Sequence, residues 1–220
     1  MNLPAHITID VAGTLLRPDP SVGDIYAEML REHGGEAVPD VLEARFREAI
    51  GRHTPSGRMD RSFWVKIVRE TLGEDCPEDR FDGCFNDLWE TFAEGCRWGW
   101  TEGAEDALLA LRKRGHILAV LSNNDARLRR VLADKGVLEC FADVFISEAV
   151  GSSKPSLEIF QHVERCLECD AAELMHIGDS LEADYLGAKN AGWEARLLGK
   201  ARPDSVPEAD WWAGWKCALH

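Results

Sequence analysis

The chain has few basic side chains relative to acidic ones. It has 25 lysines and arginines against 39 aspartates and glutamates, which leaves a formal net charge of −14 at pH 7. A protein that binds the nucleic-acid backbone needs a basic face to displace counterions, so the charge balance argues against a nucleic-acid partner. The basic runs 112–114 and 127–130 fall in helical patterns, and we expect each to be a solvated helix face.

Long apolar runs are missing as well. No stretch reaches the length that crosses a bilayer, and the first residues lack the pattern of a secretory signal peptide. The seven cysteines are an odd number and a modest load for this length. We therefore expect a cytoplasmic protein with reduced thiols, without a membrane partner, that is a monomer or a weak dimer.

The order of helical and strand-like segments predicts the architecture. Residues 6–10 are strand-like, and only helical periodicity follows for roughly eighty residues. From Gly103 onward, helices alternate with short apolar strands, which is typical of a parallel sheet covered by helices. We predict an α/β fold: a doubly wound, Rossmann-like parallel sheet with an inserted all-α helical-bundle cap. The predicted core is 1–16 plus 101–220, and the predicted cap is 17–100.

The individual elements follow from the same periodicity and from the glycines that end helices. The predicted helices are 21–33, 40–50, 60–72, 78–94, 103–114, 126–135, 155–168 and 182–191. The predicted strands are 6–10, 116–121, 143–147, 173–177 and 194–198. The tail with Trp211, Trp212 and Trp215 is predicted to be a packed terminus.

Polar signatures follow four of the predicted strands. In a doubly wound sheet the site forms at the carboxyl ends of the strands, so these residues are the candidates for chemistry. One signature alone is weak, because a strand-end Asp or Ser is more often a turn former or a helix cap. Four signatures in order are a strong signal. They are Asp10 with Thr14, Ser122 with Asn123, Lys154 with Pro155, and Gly178-Asp179 with Asp184.

These signatures resemble the four motifs of the haloacid dehalogenase superfamily, which match in order at residues 10–14, 122, 154 and 178–184. A subgroup called haloacid dehalogenase-like hydrolase domain-containing protein 3 is similar in three longer runs. They are Asp-Val-x-x-Thr-Leu-Leu-Arg at 10–17, Leu-Ala-Val-Leu-Ser-Asn at 118–123 and His-Ile-Gly-Asp at 176–179. The resemblance spans nearly the whole chain and implies a hydrolase with a cap over its site.

The resemblance and the residue types together give each catalytic candidate a role. Asp10 is expected to be the nucleophile that forms an aspartyl phosphate. Ser122 and Asn123 are expected to bind phosphoryl oxygens at the start of a helix, where the dipole favours an anion. Lys154 adds a positive charge that offsets the repulsion between carboxylate and phosphate. Thr14 is expected to close the turn beside the nucleophile.

A magnesium site is expected at the same edge of the sheet. Asp10 and Asp179 are predicted ligands, and Asp184 is predicted to support the ion directly or through water. The resemblance implies that the backbone carbonyl of Ala12 joins them. His176, within its strand, is predicted to be a core histidine or one that supports the site.

Ala12 departs from the phosphatases of this family, in which an aspartate two residues after the nucleophile protonates the leaving group. Such general acid help is worth about 10²–10⁴-fold in rate. Alanine loses the acid and keeps the backbone carbonyl. We therefore predict a Mg²⁺-dependent phosphatase for a small phosphorylated molecule, slow on alkyl phosphates and better with aryl or acyl phosphates.

Three alternatives stay open. The run Asp-x-Ala-Gly-Thr also resembles phosphonoacetaldehyde hydrolase, which uses a Schiff-base lysine, but Lys66, the only lysine in 17–100, falls opposite an apolar arc of its helix. A dehalogenase of C–Cl bonds uses Asp10 without a metal, and Asp179 disfavours it by repelling a carboxylate substrate. The third alternative is a catalytically weak homologue that binds a phosphorylated ligand or a protein.

Overall fold

A six-stranded parallel sheet forms the centre of the molecule in the computed structural model, which describes residues 3–53 and 58–219. The strands of the protein are β1 (His6–Ile9), β2 (Leu16–Pro18), β3 (Trp98–Trp100), β4 (Ile117–Ser122), β5 (Asp143–Ile146), β6 (Leu174–Gly178), β7 (Glu194–Leu198) and β8 (Trp211–Trp212). The large sheet has the order β5-β4-β1-β6-β7-β8, with every neighbouring pair parallel. This arrangement confirms the predicted Rossmann-like α/β fold.

Helices cover the sheet and fill the segment between β2 and β3. They are α1 (Val22–Glu32), α2 (Pro39–His53), α3 (Arg61–Leu72), α4 (Phe81–Thr91), α5 (Ala104–Lys113), α6 (Arg127–Asp134), α7 (Ser147–Val150), α8 (Leu157–Leu167) and α9 (Gly187–Asn190). Among the described residues, no helix combines the length and the apolar content that crossing a bilayer requires.

Both faces of the sheet are buried under helices. In β4, Leu118 and Val120 join one apolar cluster, whereas Ala119 and Leu121 join a second one. Successive side chains of a strand point to opposite faces, so each cluster lies on its own side of the sheet. The central strands are consequently apolar throughout, and polar groups are concentrated where the strands end.

Helices α1 to α4 have a third apolar core of their own, and we call this segment, residues 22–91, the helical region. Ile25, Leu42, Leu72 and Leu88 are buried in it with less than 2% of each side chain exposed. Strands β2 and β3 form an antiparallel ribbon at its two ends, with Leu16 opposite Trp100. The predicted cap boundaries stay a prediction, and they coincide with this ribbon.

Several elements differ from the expectations. The ribbon and β8 were not predicted, because strands of two or three residues are too short to show a period of two. The helix predicted at 78–94 is shorter, since a 3₁₀ turn at Glu78–Arg80 precedes α4. The helix predicted at 182–191 is a π-helical turn, Leu181–Leu186, followed by α9. The tail is a packed terminus, as predicted, with Trp212 and Trp215 buried.

Candidate active site

Asp10 lies directly after β1, at the carboxyl edge of the sheet. Its backbone N–H donates to the Ile177 carbonyl at 2.9 Å, and 7% of the residue is exposed. The chain then turns through Gly13, whose φ of +94° is a left-handed conformation that favours glycine. A Cβ at this position would lie 2.6 Å from Asp179 Oδ2, so glycine also allows the loop to approach that carboxylate.

Lys154 reaches Asp10 from the loop before α8. Its ammonium is buried and donates to Asp10 Oδ1 at 2.9 Å, to Asp184 Oδ1 at 2.6 Å and to the Leu121 carbonyl at 2.7 Å. Burial alone would lower the pKa of Lys154, but the carboxylates of Asp10 and Asp184 raise it above its usual value. The lysine is therefore a fixed positive charge beside the predicted nucleophile.

His176, within β6, lies beside the ion pair of Lys154 and Asp184. It is fully buried, and burial together with the Lys154 charge lowers its pKa, so the imidazole is neutral. Its Nε2 lies 3.1 Å from Asp184 Oδ1 and its Nδ1 lies 2.8 Å from Thr8 Oγ1. Because nearer acceptors use all three Lys154 protons, Nε2–H donates to Asp184 and the Thr8 hydroxyl donates to Nδ1. His176 thus lies in the core beside Asp184, as predicted, and its support of a catalytic site stays a prediction.

Three carboxylates converge beside this network. Asp10, Asp179 and Asp184 each place an oxygen within 4.8 Å of those of the other two. Asp179 Oδ1 accepts from the Thr14 hydroxyl at 2.8 Å, and burial together with the Asp10 charge raises the pKa of Asp179 to about 6. Burial is the larger cause, because it disfavours the charged carboxylate, and the negative charge of Asp10 adds to the rise.

These residues fit a hard cation such as Mg²⁺, which prefers oxygen ligands. The Ala12 carbonyl accepts no hydrogen bond from the described residues, and neither does Asp10 Oδ2. Asp184 is more occupied: Oδ1 accepts from Lys154 and His176, and Oδ2 accepts from the Ser180 N–H at 2.8 Å. The freest oxygen donors therefore belong to Asp10, Ala12 and Asp179.

Ser122 and Asn123, at the end of β4, have different surroundings. Ser122 is buried beside the cavity, and its hydroxyl has no hydrogen-bond partner among the described residues. The Asn123 carboxamide donates to the Lys154 carbonyl and accepts from the Lys154 N–H, both at 2.8 Å. The Asn123 side chain thus fixes the lysine backbone, a role that the sequence did not indicate. Its predicted contact with substrate stays a prediction.

A cavity of about 430 Å³ extends from these residues to the helical region. We call its two sides the sheet wall (Asp10, Ser122, Lys154, Asp179 and Asp184) and the helix wall (Tyr26, Phe46, Trp64, Phe85, Trp89 and Phe92). Among the described residues that line the cavity, none is a histidine, glutamate or cysteine.

Arg127 corrects the expectation that residues 127–130 are a solvated helix face. Its Nε and Nη2 donate to the two oxygens of the fully buried Asp125, each at 2.7 Å, and its Nη1 donates to the Trp89 carbonyl at 3.0 Å. The guanidinium carbon lies 3.5 Å from the centre of the Trp89 ring. The sequence does not indicate this contact, because Trp89 comes from a segment far from Asp125 and Arg127. Lys66 is exposed on α3, as predicted.

Comparisons with known proteins agree with this geometry. The family model for haloacid dehalogenase-like hydrolases matches residues 4–192. Human haloacid dehalogenase-like hydrolase domain-containing protein 3 is 34% identical over 218 residues, which is 92% of this chain and 87% of the relative.

Solved structures show the same fold. The magnesium-bound putative HAD-hydrolase YfnB from Bacillus subtilis has a TM-score of 0.77 at 22% identity, covering 98% of this chain and 96% of the other. A HAD phosphatase from Thermococcus onnurineus has a TM-score of 0.68 at 22% identity, covering 96% and 94%. Dehalogenases are also among the structural matches, so the fold alone does not distinguish phosphate hydrolysis from dehalogenation.

Proposed function

This chain belongs to the haloacid dehalogenase-like hydrolase family, and on that premise we propose that it is a Mg²⁺-dependent phosphatase for a small phosphorylated molecule. The observation that carries the proposal is the convergence of Asp10, Asp179 and Asp184 beside the buried ammonium of Lys154. Three carboxylates at one strand edge suit a cation and the phosphate it attracts. They repel the carboxylate of a 2-haloacid, so the dehalogenase alternative is disfavoured.

Asp10 is the proposed nucleophile. One oxygen of its carboxylate would attack phosphorus while the other would bind the cation, and the Lys154 ammonium holds the carboxylate at Oδ1. The bond from phosphorus to the leaving oxygen breaks with its electrons on that oxygen, and an aspartyl phosphate forms. Water then attacks the phosphorus, which releases phosphate and restores the carboxylate.

The other residues bind and orient the phosphoryl group. Lys154 and the Ser122 hydroxyl are proposed to contact its oxygens, with the Asn123 carboxamide positioning the lysine. Thr14 orients Asp179 through their 2.8 Å hydrogen bond. When bound, Mg²⁺ supplies positive charge that offsets the repulsion between the phosphate and the carboxylates.

The helical region fits the role of a cap, which we place at residues 17–100, with the core at 1–16 and 101–220. The helix wall faces the proposed nucleophile across the cavity, so this region contacts the leaving group rather than the phosphate. Since Ala12 offers no acid, the leaving group departs with little proton help. Aryl and acyl phosphates are therefore better substrates than alkyl phosphates.

Hydrolysis of p-nitrophenyl phosphate tests this function. We expect turnover that requires Mg²⁺ and falls by about 10³-fold or more in Asp10→Asn, because the nucleophile is lost while the shape is kept. Asp106→Asn, an exposed position on α5, is the matched control and keeps full activity. Turnover that is equal in wild type and Asp10→Asn, or absent with Mg²⁺ in a folded protein, contradicts the proposal.

Two further assays address the alternatives. Release of chloride from 2-chloropropionate is expected to stay at the background rate. Lys66→Ala is expected to leave every activity unchanged, because this lysine is exposed and does not line the cavity. Chloride release that depends on Asp10, or phosphonoacetaldehyde cleavage that depends on Lys66, favours the corresponding alternative.

A further inference from the structure

The helix wall is the least polar part of the cavity. Six aromatic side chains define it, and Met59, Val68 and Leu88 fill the spaces beside them. The rings contact one another edge-on, with the Tyr26 ring centre 5.8 Å from that of Phe46 and 6.0 Å from that of Phe92. A wall of this composition binds a ligand mainly through apolar and ring contacts.

The helix wall has no charge to spare for a second anionic group. Arg127 and Lys154 are the cations among the described residues that line the cavity, and the Arg127 guanidinium already pairs with both oxygens of Asp125 and covers the Trp89 ring. Arg61 lies over the Phe85 and Trp89 rings at 5.1 and 4.9 Å but does not line the cavity. Lys154, on the sheet wall, is engaged with Asp10 and Asp184. A ligand that carries a carboxylate or a second phosphate in its leaving group therefore finds no counter-ion there.

Two hydrogen-bond donors remain on the helix wall. The Tyr26 hydroxyl has no partner among the described residues, and 2% of this residue is exposed. The Trp64 indole N–H is buried and also lacks a partner. Burial raises the pKa of Tyr26 well above its usual range, so its hydroxyl stays protonated. Unpartnered buried donors are costly, and an oxygen on the ligand is the acceptor that satisfies one.

We propose that the substrate is an aryl phosphate monoester whose aromatic ring occupies the helix wall. This inference rests on the proposed function and names its substrate class. Two separate observations favour an aryl ester. The helix wall is aromatic, and position 12 has no acid to protonate the leaving group. A phenol loses its proton near pH 10, as tyrosine does, so a phenolate departs from phosphorus with far less proton help than an alkoxide.

Measurements of ligand affinity test the aryl site without relying on turnover. Asp10→Asn in the presence of Mg²⁺ keeps the cavity without turnover, and isothermal titration gives the Kd of 2-naphthyl phosphate and of glycerol 3-phosphate. We expect the naphthyl ester to bind at least about tenfold more tightly, because its rings remove apolar surface from water. Equal affinities for the two esters overturn the inference.

Variants of the helix wall show where the ring binds. Trp64→Ala and, on a different helix, Phe46→Ala are each expected to weaken 2-naphthyl phosphate binding about fivefold while changing glycerol 3-phosphate binding less than twofold. Lys66→Ala, on the exposed side of the same helix as Trp64, is the matched control and changes neither Kd. Equal losses for both esters, or none in either folded variant, overturn the inference.

Wild-type turnover of acetyl phosphate, a small acyl phosphate without a ring, tests the proposed function separately. Hydrolysis of acetyl phosphate that depends on Asp10, combined with equal binding of the two esters, overturns the aryl assignment and leaves the phosphatase in place. Tight binding of the naphthyl ester without turnover of any phosphate supports the aryl site and contradicts the phosphatase.

Discussion

The two walls of the cavity are built on different principles. On the sheet wall, Lys154 and Asp184 share hydrogen bonds with their neighbours, and His176 and Asn123 hold them in place from behind. On the helix wall, rings and aliphatic groups pack together, and the buried indole N–H of Trp64 has no hydrogen-bond partner among the described residues. The charged side chains of the sheet wall are thus held by one another, whereas the helix wall offers mainly apolar surface to a ligand. Substitutions on either wall test that contrast.

Lys154→Met is the strongest test of the sheet wall. Removing the ammonium leaves Asp10 and Asp184 buried without a counter-charge, which we expect to cost about 3–5 kcal/mol in the free energy of unfolding. Urea denaturation followed by circular dichroism measures it, with exposed Lys66→Met as control. A loss below about 1 kcal/mol means that the lysine is not what holds these carboxylates together.

Ala12→Asp adds the acid that this site lacks. If the rest of the sheet wall is complete, turnover of an alkyl phosphate such as glycerol 3-phosphate rises by about tenfold or more, while aryl phosphates gain less. Steady-state kinetics on both esters measures the difference. An unchanged or lower rate in a folded variant indicates that the wall lacks more than an acid.

Mg²⁺ is expected to stabilise the wild type and to raise its Tm by a few degrees at millimolar concentration. Without the ion, the pKa of Asp179 is raised to about 6, so its contribution to stability falls as pH rises from about 4 to above 6. The ion removes that loss, so its effect on Tm is larger at pH 7.5 than at pH 5. Asp179→Asn is expected to lose most of this response, and a response equal to wild type argues against Asp179 as a ligand.

Trp215→Phe is the mildest change. Its indole N–H donates to the Thr14 carbonyl at 2.9 Å, beneath the loop that carries Asp10. We expect a loss of about 1 kcal/mol in stability from the missing hydrogen bond, with the helix wall unaffected. Urea denaturation measures the stability, and the Kd of 2-naphthyl phosphate in the Asp10→Asn background is expected to be unchanged.

The contrast between the walls also explains what the sequence could predict. Asp10, Lys154 and Asp179 follow apolar strands, and a parallel sheet brings all strand ends to one edge, so their meeting was predictable from order alone. Trp64 and Phe46 lie on two helices, and helical periodicity does not determine how these helices pack against each other. The position of both side chains across the cavity from Asp10 was therefore not predictable. The contact of Arg127 with Asp125 and Trp89 was not predictable for the same reason. A run of arginines has the same sequence pattern whether or not one of them is buried.

The hydrogen bonds beneath the loop that carries Asp10 join residues that are made at different times. The Thr14 carbonyl accepts hydrogen bonds from Thr101 and from Trp215, and Trp215 lies 201 positions further along the chain. A ribosome therefore adds Trp215 only after it has made the 200 residues that separate it from Thr14. Both hydrogen bonds to the Thr14 carbonyl, beneath the loop that carries Asp10, can therefore form only after Trp215 has been added, long after the loop itself has been made.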